Sequence, residues 1–335
     1  MNPLAARLRE RIAASGPISF SSFMESALYD AQDGFYARGA RLGAQGAFTT
    51  APIAAPFLAH ALGAELRAVW ERLGRPRPFT VVEVGPGDGS LAAGLAAELA
   101  DLPIELVLCE RAVGMLAQAR ARLPAAGCVE LAQLGAICGA IVANEVHDAC
   151  PAHRLRWPCE LLVDVRPDGR FAFVPGPPAG ALGDPLRAAG VMPVEGAEYD
   201  VSPAQAELQR VLARALGRGA LFVLDYGEAG ALRYERPIPR LRTYVGGMAG
   251  GDPLAAPGTQ DITVDVDFGA VRAAGEAEGL RTALDVAQPE WLLAHGAAAA
   301  IARLPRHDAE RLWLEALSDP EGIGAAFRVL AQERD

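Results

Sequence analysis

The chain has 335 residues, with 41 acidic against 31 basic side chains, a formal net charge of -10, 51% hydrophobic and 21% charged residues. That length fits one large domain with additions or two domains, and the apolar fraction excludes a mainly disordered chain. The acidic balance argues against nucleic-acid binding, which needs Lys and Arg to displace condensed counterions, and no run of about 18 apolar residues marks a membrane-inserting segment.

Lysine is absent, so every basic residue counted is arginine, and asparagine occurs only at Asn2 and Asn144. The interior copy, Asn144, therefore stands out. Cys109, Cys128, Cys138, Cys150 and Cys159 are odd in number and form no CxxC pair. A disulfide framework or a metal site is not expected, and reduced thiols point to a cytoplasmic location.

Residues 1–75 read as helices, opened by apolar residues at helical spacing over 3–12. They carry a glycine-rich stretch between Asp33 and Gly46 that is free to fold over a ligand. Arg75-Pro76-Arg77-Pro78 breaks the helical pattern. From there the spacing predicts strand 79–84, helix 90–100, strand 104–109, helix 112–123, a short strand over 128–131 and a buried strand over 140–143. Residues 153–200 read as an inserted β-hairpin, with strands over 161–166 and 170–174 around Pro167-Asp168-Gly169. The alternation resumes in 201–335 with helix 203–216, strand 221–224, a loop over 228–260, helix 268–278, strand 281–286 and helices around Leu292, Leu312 and Phe327. The fold class is α/β, a Rossmann-like parallel sheet over 76–152 and 201–335 with both faces covered.

The sharpest local signal is Val84-Gly85-Pro86-Gly87-Asp88-Gly89-Ser90, where a strand enters a glycine turn and then a helix. Such a turn brings backbone N–H groups against a ligand. Glu110 follows at the end of the next strand, where a carboxylate accepts ribose hydroxyl protons. A dinucleotide site would show G-x-G-x-x-G beneath a pyrophosphate. Here the turn is G-x-G-x-G, and the acids Glu83 and Asp88 would repel phosphate. They would favour the sulfonium and ammonium of S-adenosyl-L-methionine. The expected cofactor site is thus Glu83, Gly85, Gly87, Asp88, Gly89 and Glu110.

A second constellation, Ala143-Asn144-Glu145-Val146-His147-Asp148, stands at the carboxyl end of a buried strand, where open α/β sheets bind ligands. Asn144, Glu145 and Asp148 have the chemistry to position a cationic nitrogen acceptor such as guanidinium. His147 is either a proton acceptor or a satisfied histidine. Asp225, in Asp225-Tyr226-Gly227 at another strand end, either holds substrate or caps the following loop.

In order along the chain, Gly34-Phe35-Tyr36, Gly46-Ala47-Phe48-Thr49-Thr50-Ala51-Pro52, Glu83 to Gly89, Ala143-Asn144-Glu145 with Asp148 and Pro151, Asp225-Tyr226-Gly227, Asp261-Ile262-Thr263 and Val266-Asp267-Phe268 resemble the MidA-like S-adenosylmethionine-dependent methyltransferases. The resemblance implies a class I methyltransferase sheet and cofactor contacts from Thr49 and Thr50. It also implies methylation of a protein arginine, as the family's mitochondrial member does for a respiratory complex I subunit. The partner expected is an arginine-bearing protein, a homodimer is compatible with the reading, and neither nucleic acid nor membrane insertion is expected. Ala47, Ile53, Asp265 and Gly246-Gly247-Met248-Ala249-Gly250-Gly251 depart from the family pattern on the substrate side. They leave open an alternative, a non-catalytic assembly factor that binds the cofactor and a partner protein.

Overall fold

The computed structural model describes residues 2–39, 56–235, 240–245 and 248–335. Thr49, Thr50, Ala47, Ile53, Gly246 and Gly247, singled out above, lie outside them. After the helix Pro3–Ser15 and the two-residue strand β1 (Ile18–Ser19), the helix Phe20–Tyr29 completes an N-terminal pair. Both helices start on side-chain caps, Asn2 accepting the Ala5 N–H and Ser19 the Ser22 N–H. Such caps satisfy donors that the first helical turn leaves without a partner.

The central sheet is built from β2 (Phe79–Val84), β3 (Ile104–Cys109), β4 (Gly127–Val129), β5 (Ile137–Asn144), β10 (Leu216–Glu228), β15 (Arg281–Ala287) and β16 (Phe327–Arg334), in the spatial order β4-β3-β2-β5-β10-β16-β15. The strands from β4 to β10 are parallel, while β16 runs antiparallel between β10 and β15. A strand covered on both faces needs apolar side chains at successive positions, because neighbours point to opposite sides. Val81 and Val82 show this: Val81 packs in the cluster with the helices Phe57–Arg72 and Gln288–Ala294, and Val82 in the one with the helix Pro203–Ala215. Ala140 and Val142 of β5 join the first cluster, Ile141 and Ala143 the second.

The helix expected around Phe327 is instead β16. Its apolar core, Val329-Leu330-Ala331, is too short for periodicity to separate helix from strand. Pairing with β10 and β15, distant in sequence, decides the matter.

Between β5 and β10 lie β6 (His153–Arg156), β7 (Cys159–Val165), β8 (Phe171–Pro178) and β9 (Glu198–Val201). With β1 they form a five-stranded antiparallel sheet, larger than a hairpin. The predicted turn does join β7 to β8, with Gly169 at φ 81 and the Arg166 N–H donating to the Arg170 carbonyl at 2.8 Å. β6 escapes detection because its polar side chains pair across strands, His153 with Glu160 and Arg154 with Glu198, rather than alternating with apolar ones. β11 (Leu241–Val245) and β12 (Met248–Ala249), within the expected loop, make a third, small sheet with β13 (Asp261–Val264) just beyond it, and β14 (Val266–Asp267) extends alongside β10.

Phe20, Phe23, Leu28, Val163, Ile262 and Val264 share one core. That core fastens the N-terminal helices to the second and third sheets, and it brings Tyr29 and Tyr36 to the wall of a cavity shared with the carboxyl ends of β2 and β5.

Candidate active site

The turn after β2 holds three glycines in the left-handed region, Gly85 at φ 62, Gly87 at φ 57 and Gly89 at φ 80. Residues with a Cβ adopt this conformation at a cost of about 1–2 kcal/mol. A Cβ at Gly85 would also lie 2.8 Å from the Val146 side chain, so the sequence requires glycine twice over. The turn opens the helix Ser90–Glu98, whose Ser90 N–H is capped by Asp88 at 3.0 Å.

Glu83 is 3% exposed, and its Oε2 is buried with no hydrogen-bond partner. Burial pushes its carboxyl up to about 8, with the charges of Asp88 and Glu110 adding to the effect. Glu110 follows β3, accepts the Ala112 N–H at 2.7 Å, and is likewise raised by burial. Asp88 differs from the expectation that its charge faces a cationic ligand. It lines the cavity, but its Oδ2 is paired with Arg122 at 2.7 Å and its Oδ1 accepts the Ser90 N–H, so part of its role is to order the turn.

β5 ends at Asn144, whose side-chain amide donates to Glu145 at 3.3 Å. Glu145 sits at φ 51, a left-handed conformation that non-glycine residues rarely take and that collects at functional sites. Two contacts impose it: the Glu145 N–H donates to the Leu224 carbonyl, and the next three N–H groups converge on Asp225. Asp148 is 5% exposed. Its Oδ2 accepts the Tyr226 hydroxyl at 2.6 Å, while its Oδ1 is buried without a partner. Burial lifts its carboxyl to about 6 despite the Tyr226 hydroxyl and the charge of Arg242.

A single cavity of about 1250 Å³ joins the two halves, lined by Glu83, Gly85 and Glu110 on one side and by Asn144, Glu145 and Asp148 on the other. That volume exceeds the usual range for one small ligand, about 300–1,000 Å³. A donor and an acceptor group can therefore occupy it together.

Asp225 is corrected by its placement. It is fully buried, does not line the cavity, and accepts the N–H groups of Val146, His147 and Asp148 at 3.1, 3.0 and 3.2 Å through one oxygen. It lies within β10 rather than at its end, because pairing with β14 carries the strand on to Glu228. His147 also turns away into the core. It is fully buried and outside the cavity wall, and burial drives its ring down to about 4, which keeps it neutral.

Tyr29, Tyr36, Tyr226, Arg242, Asp261 and Thr263 line the same cavity. Most of them fall in motifs that the sequence displays, but pattern alone assigns them no role. Asp265, at a position departing from the family pattern, accepts a hydrogen bond from Arg240 at 2.8 Å and forms an ion pair with Arg242 at 2.5 Å, whose guanidinium lies over the Tyr226 ring.

Residues 61–285 match the family model of S-adenosyl-L-methionine-dependent methyltransferases. The chain belongs to this family. A methyl-transferase-like protein from Burkholderia thailandensis, crystallised with S-adenosyl-homocysteine, is 30% identical and superposes with a TM-score of 0.86 over 99% of this chain and 92% of its own. Among relatives, the protein named mitochondrial protein arginine methyltransferase NDUFAF7 homolog in Drosophila melanogaster is 27% identical over 98% of this chain and 84% of its own length. The Xenopus tropicalis mitochondrial protein arginine methyltransferase NDUFAF7 is 28% identical over 82% and 72%.

This methyltransferase therefore uses S-adenosyl-L-methionine, which supplies an electrophilic methyl group on a sulfonium. The residues present fit it. The unpartnered Glu83 Oε2 offers an acceptor to a cationic group, Glu110 offers a carboxylate for hydroxyls, and the Cβ-free turn admits a ligand against the backbone.

Proposed function

We propose that this methyltransferase transfers the methyl group to a nitrogen of a protein arginine side chain. The observation that carries the reading is the Asp148 carboxylate, which shares the cavity with the glycine turn and has one buried oxygen without a partner. Leaving such an oxygen unpaired costs about 1–3 kcal/mol or more, and an N–H of an incoming guanidinium recovers it. The relatives' names, protein arginine methyltransferase, support the same acceptor.

In the proposed step the N–C bond forms as the C–S bond breaks, and the nitrogen's proton passes to the Asp148 carboxylate. Asn144 and Glu145 orient the acceptor, and Asp225 acts through the backbone it holds. Most of the acceleration comes from placing the nitrogen in line with the methyl group in a site that excludes water. Thr49 and Thr50 belong to the proposal as cofactor contacts, as do a cytoplasmic location and a homodimer compatible with the chain.

The test is incubation with methyl-labelled S-adenosyl-L-methionine and a bacterial lysate, followed by acid hydrolysis of the labelled protein. Methylarginine is the expected product. Label recovered only as methyllysine, or released as methanol from a methyl ester, would overturn the arginine reading.

A further inference from the structure

The acceptor half of the cavity holds a second carboxylate that the glycine turn does not use. Asp261 begins β13, is 2% exposed and lines the cavity. Its Oδ1 accepts the Tyr36 hydroxyl at 2.8 Å, much as Asp148 accepts the Tyr226 hydroxyl at 2.6 Å. Each carboxylate is thus fixed by one phenol. Tyr36 comes from the N-terminal region, its ring 5.5 Å from Tyr29 and 5.1 Å from Phe35.

Two features show that this wall is built for a ligand. Asp148 Oδ1 is an unpartnered acceptor of a cavity-lining residue more than nine-tenths buried, so a donor is missing from the site. The two arginines that line the cavity are already committed, Arg242 to Asp265 and the face of the Tyr226 ring, Arg111 to Glu25 and the face of the Tyr29 ring. Two buried carboxylates in one cavity repel each other, and a planar cation with several N–H donors relieves both at once.

We propose that Asp261, held by Tyr36, is the second carboxylate of the acceptor pocket, and that Asp148 and Asp261 together cradle the cation that carries the acceptor nitrogen. The inference rests on the acceptor position proposed for Asp148. It makes the N-terminal region part of the acceptor site, and it makes recognition depend on acceptor charge: neutral amides of similar shape leave both carboxylates uncompensated.

The test uses three adenosine thioethers whose sulfur carries a short alkyl arm ending in guanidinium, primary ammonium or urea, titrated calorimetrically with S-adenosyl-homocysteine as reference. Wild type is expected to bind a cationic arm at least about tenfold more tightly than the urea arm, the size of a charge-assisted hydrogen bond. Asp261→Asn should remove most of that preference and leave S-adenosyl-homocysteine affinity within about twofold, which also reports correct folding. Tyr36→Phe keeps the ring packing, should weaken the preference in part, and carries the test should Asp261→Asn fail to fold.

An undiminished cation preference in both variants, or none in wild type, overturns the cradle. Preference for ammonium over guanidinium, lost in Asp261→Asn, supports the cradle while overturning the arginine reading.

Discussion

The Asp225 carboxylate accepts the backbone N–H of Asp148 at 3.2 Å, and the same oxygen accepts the N–H groups of Val146 and His147. Asp225 thereby shapes the loop that carries the acceptor-side residues without reaching the cavity. In Asp225→Ala four backbone donors lose an acceptor, these three and the Tyr226 N–H, which donates to the other carboxylate oxygen at 2.9 Å, at about 1–3 kcal/mol for each donor that finds no other. Urea unfolding should show a loss of about 3 kcal/mol or more, and methyl transfer should fall further than S-adenosyl-homocysteine affinity. Unchanged stability would mean that the loop holds its shape by other contacts.

Gly85 is constrained both by its φ of 62 and by Val146, 2.8 Å from where a Cβ would stand. Gly85→Ala should weaken S-adenosyl-homocysteine binding by at least about tenfold, given about 1–2 kcal/mol for the left-handed backbone and a steric cost added to it. Adding Val146→Ala removes the clash but not the backbone cost, so calorimetry should record partial recovery. Wild-type affinity in the single variant would place the cofactor elsewhere.

Glu83 begins with its carboxyl raised to about 8 by burial, so the ligand-free protein largely keeps this proton at pH 7. The stability it confers is complete below the unfolded-state value near 4.5 and is lost as pH rises through about 8. A cationic cofactor favours the ionised form, so binding at pH 7 should release protons, and affinity should strengthen as pH rises toward 8. Titration in buffers of different ionisation enthalpy reads the released protons directly. Glu83→Gln should abolish the release; an equal release in that variant would move it to another group.

Burial raises the carboxyls of Asp148 to about 6 and Asp261 to about 7, and holding a cation requires them ionised. The rate of methyl transfer under limiting acceptor should therefore climb as pH increases through 6 to 7. In Asp261→Asn the upper part of that rise should disappear. A profile that stays flat from pH 5 to 8 in wild type would contradict a role for either carboxylate.

The cofactor half was legible because its chemistry is local. Glu83, the three turn glycines and Glu110 lie on consecutive β and α elements whose spacing is visible in the chain. The pairing of Asp88 with Arg122 is not visible in any short window, because the two stand 34 positions apart with two helices and a strand between them. The acceptor half is assembled from distant segments: Tyr36 meets Asp261 across 225 positions, and Tyr226 meets Asp148 across 78. Those residues appear in recognisable motifs, yet only tertiary packing shows which carboxylate each phenol serves. Asp225 failed for a related reason, since the length of β10 depends on its pairing with β14 rather than on its own residues.

The most direct test is a comparison of wild type with Asp148→Asn in two readouts on the same preparations: calorimetric affinity for S-adenosyl-homocysteine, and mass-spectrometric detection of methylarginine made from trideuteromethyl-labelled S-adenosyl-L-methionine. The substitution should leave cofactor affinity within about threefold, because the hydrogen bonds of Asp148 go to Tyr226 and Asp225 rather than to the glycine turn, and should reduce methylarginine at least about a hundredfold, as expected for losing a proton acceptor. Methylarginine formed at the wild-type rate by Asp148→Asn would contradict the assignment of this carboxylate to the acceptor.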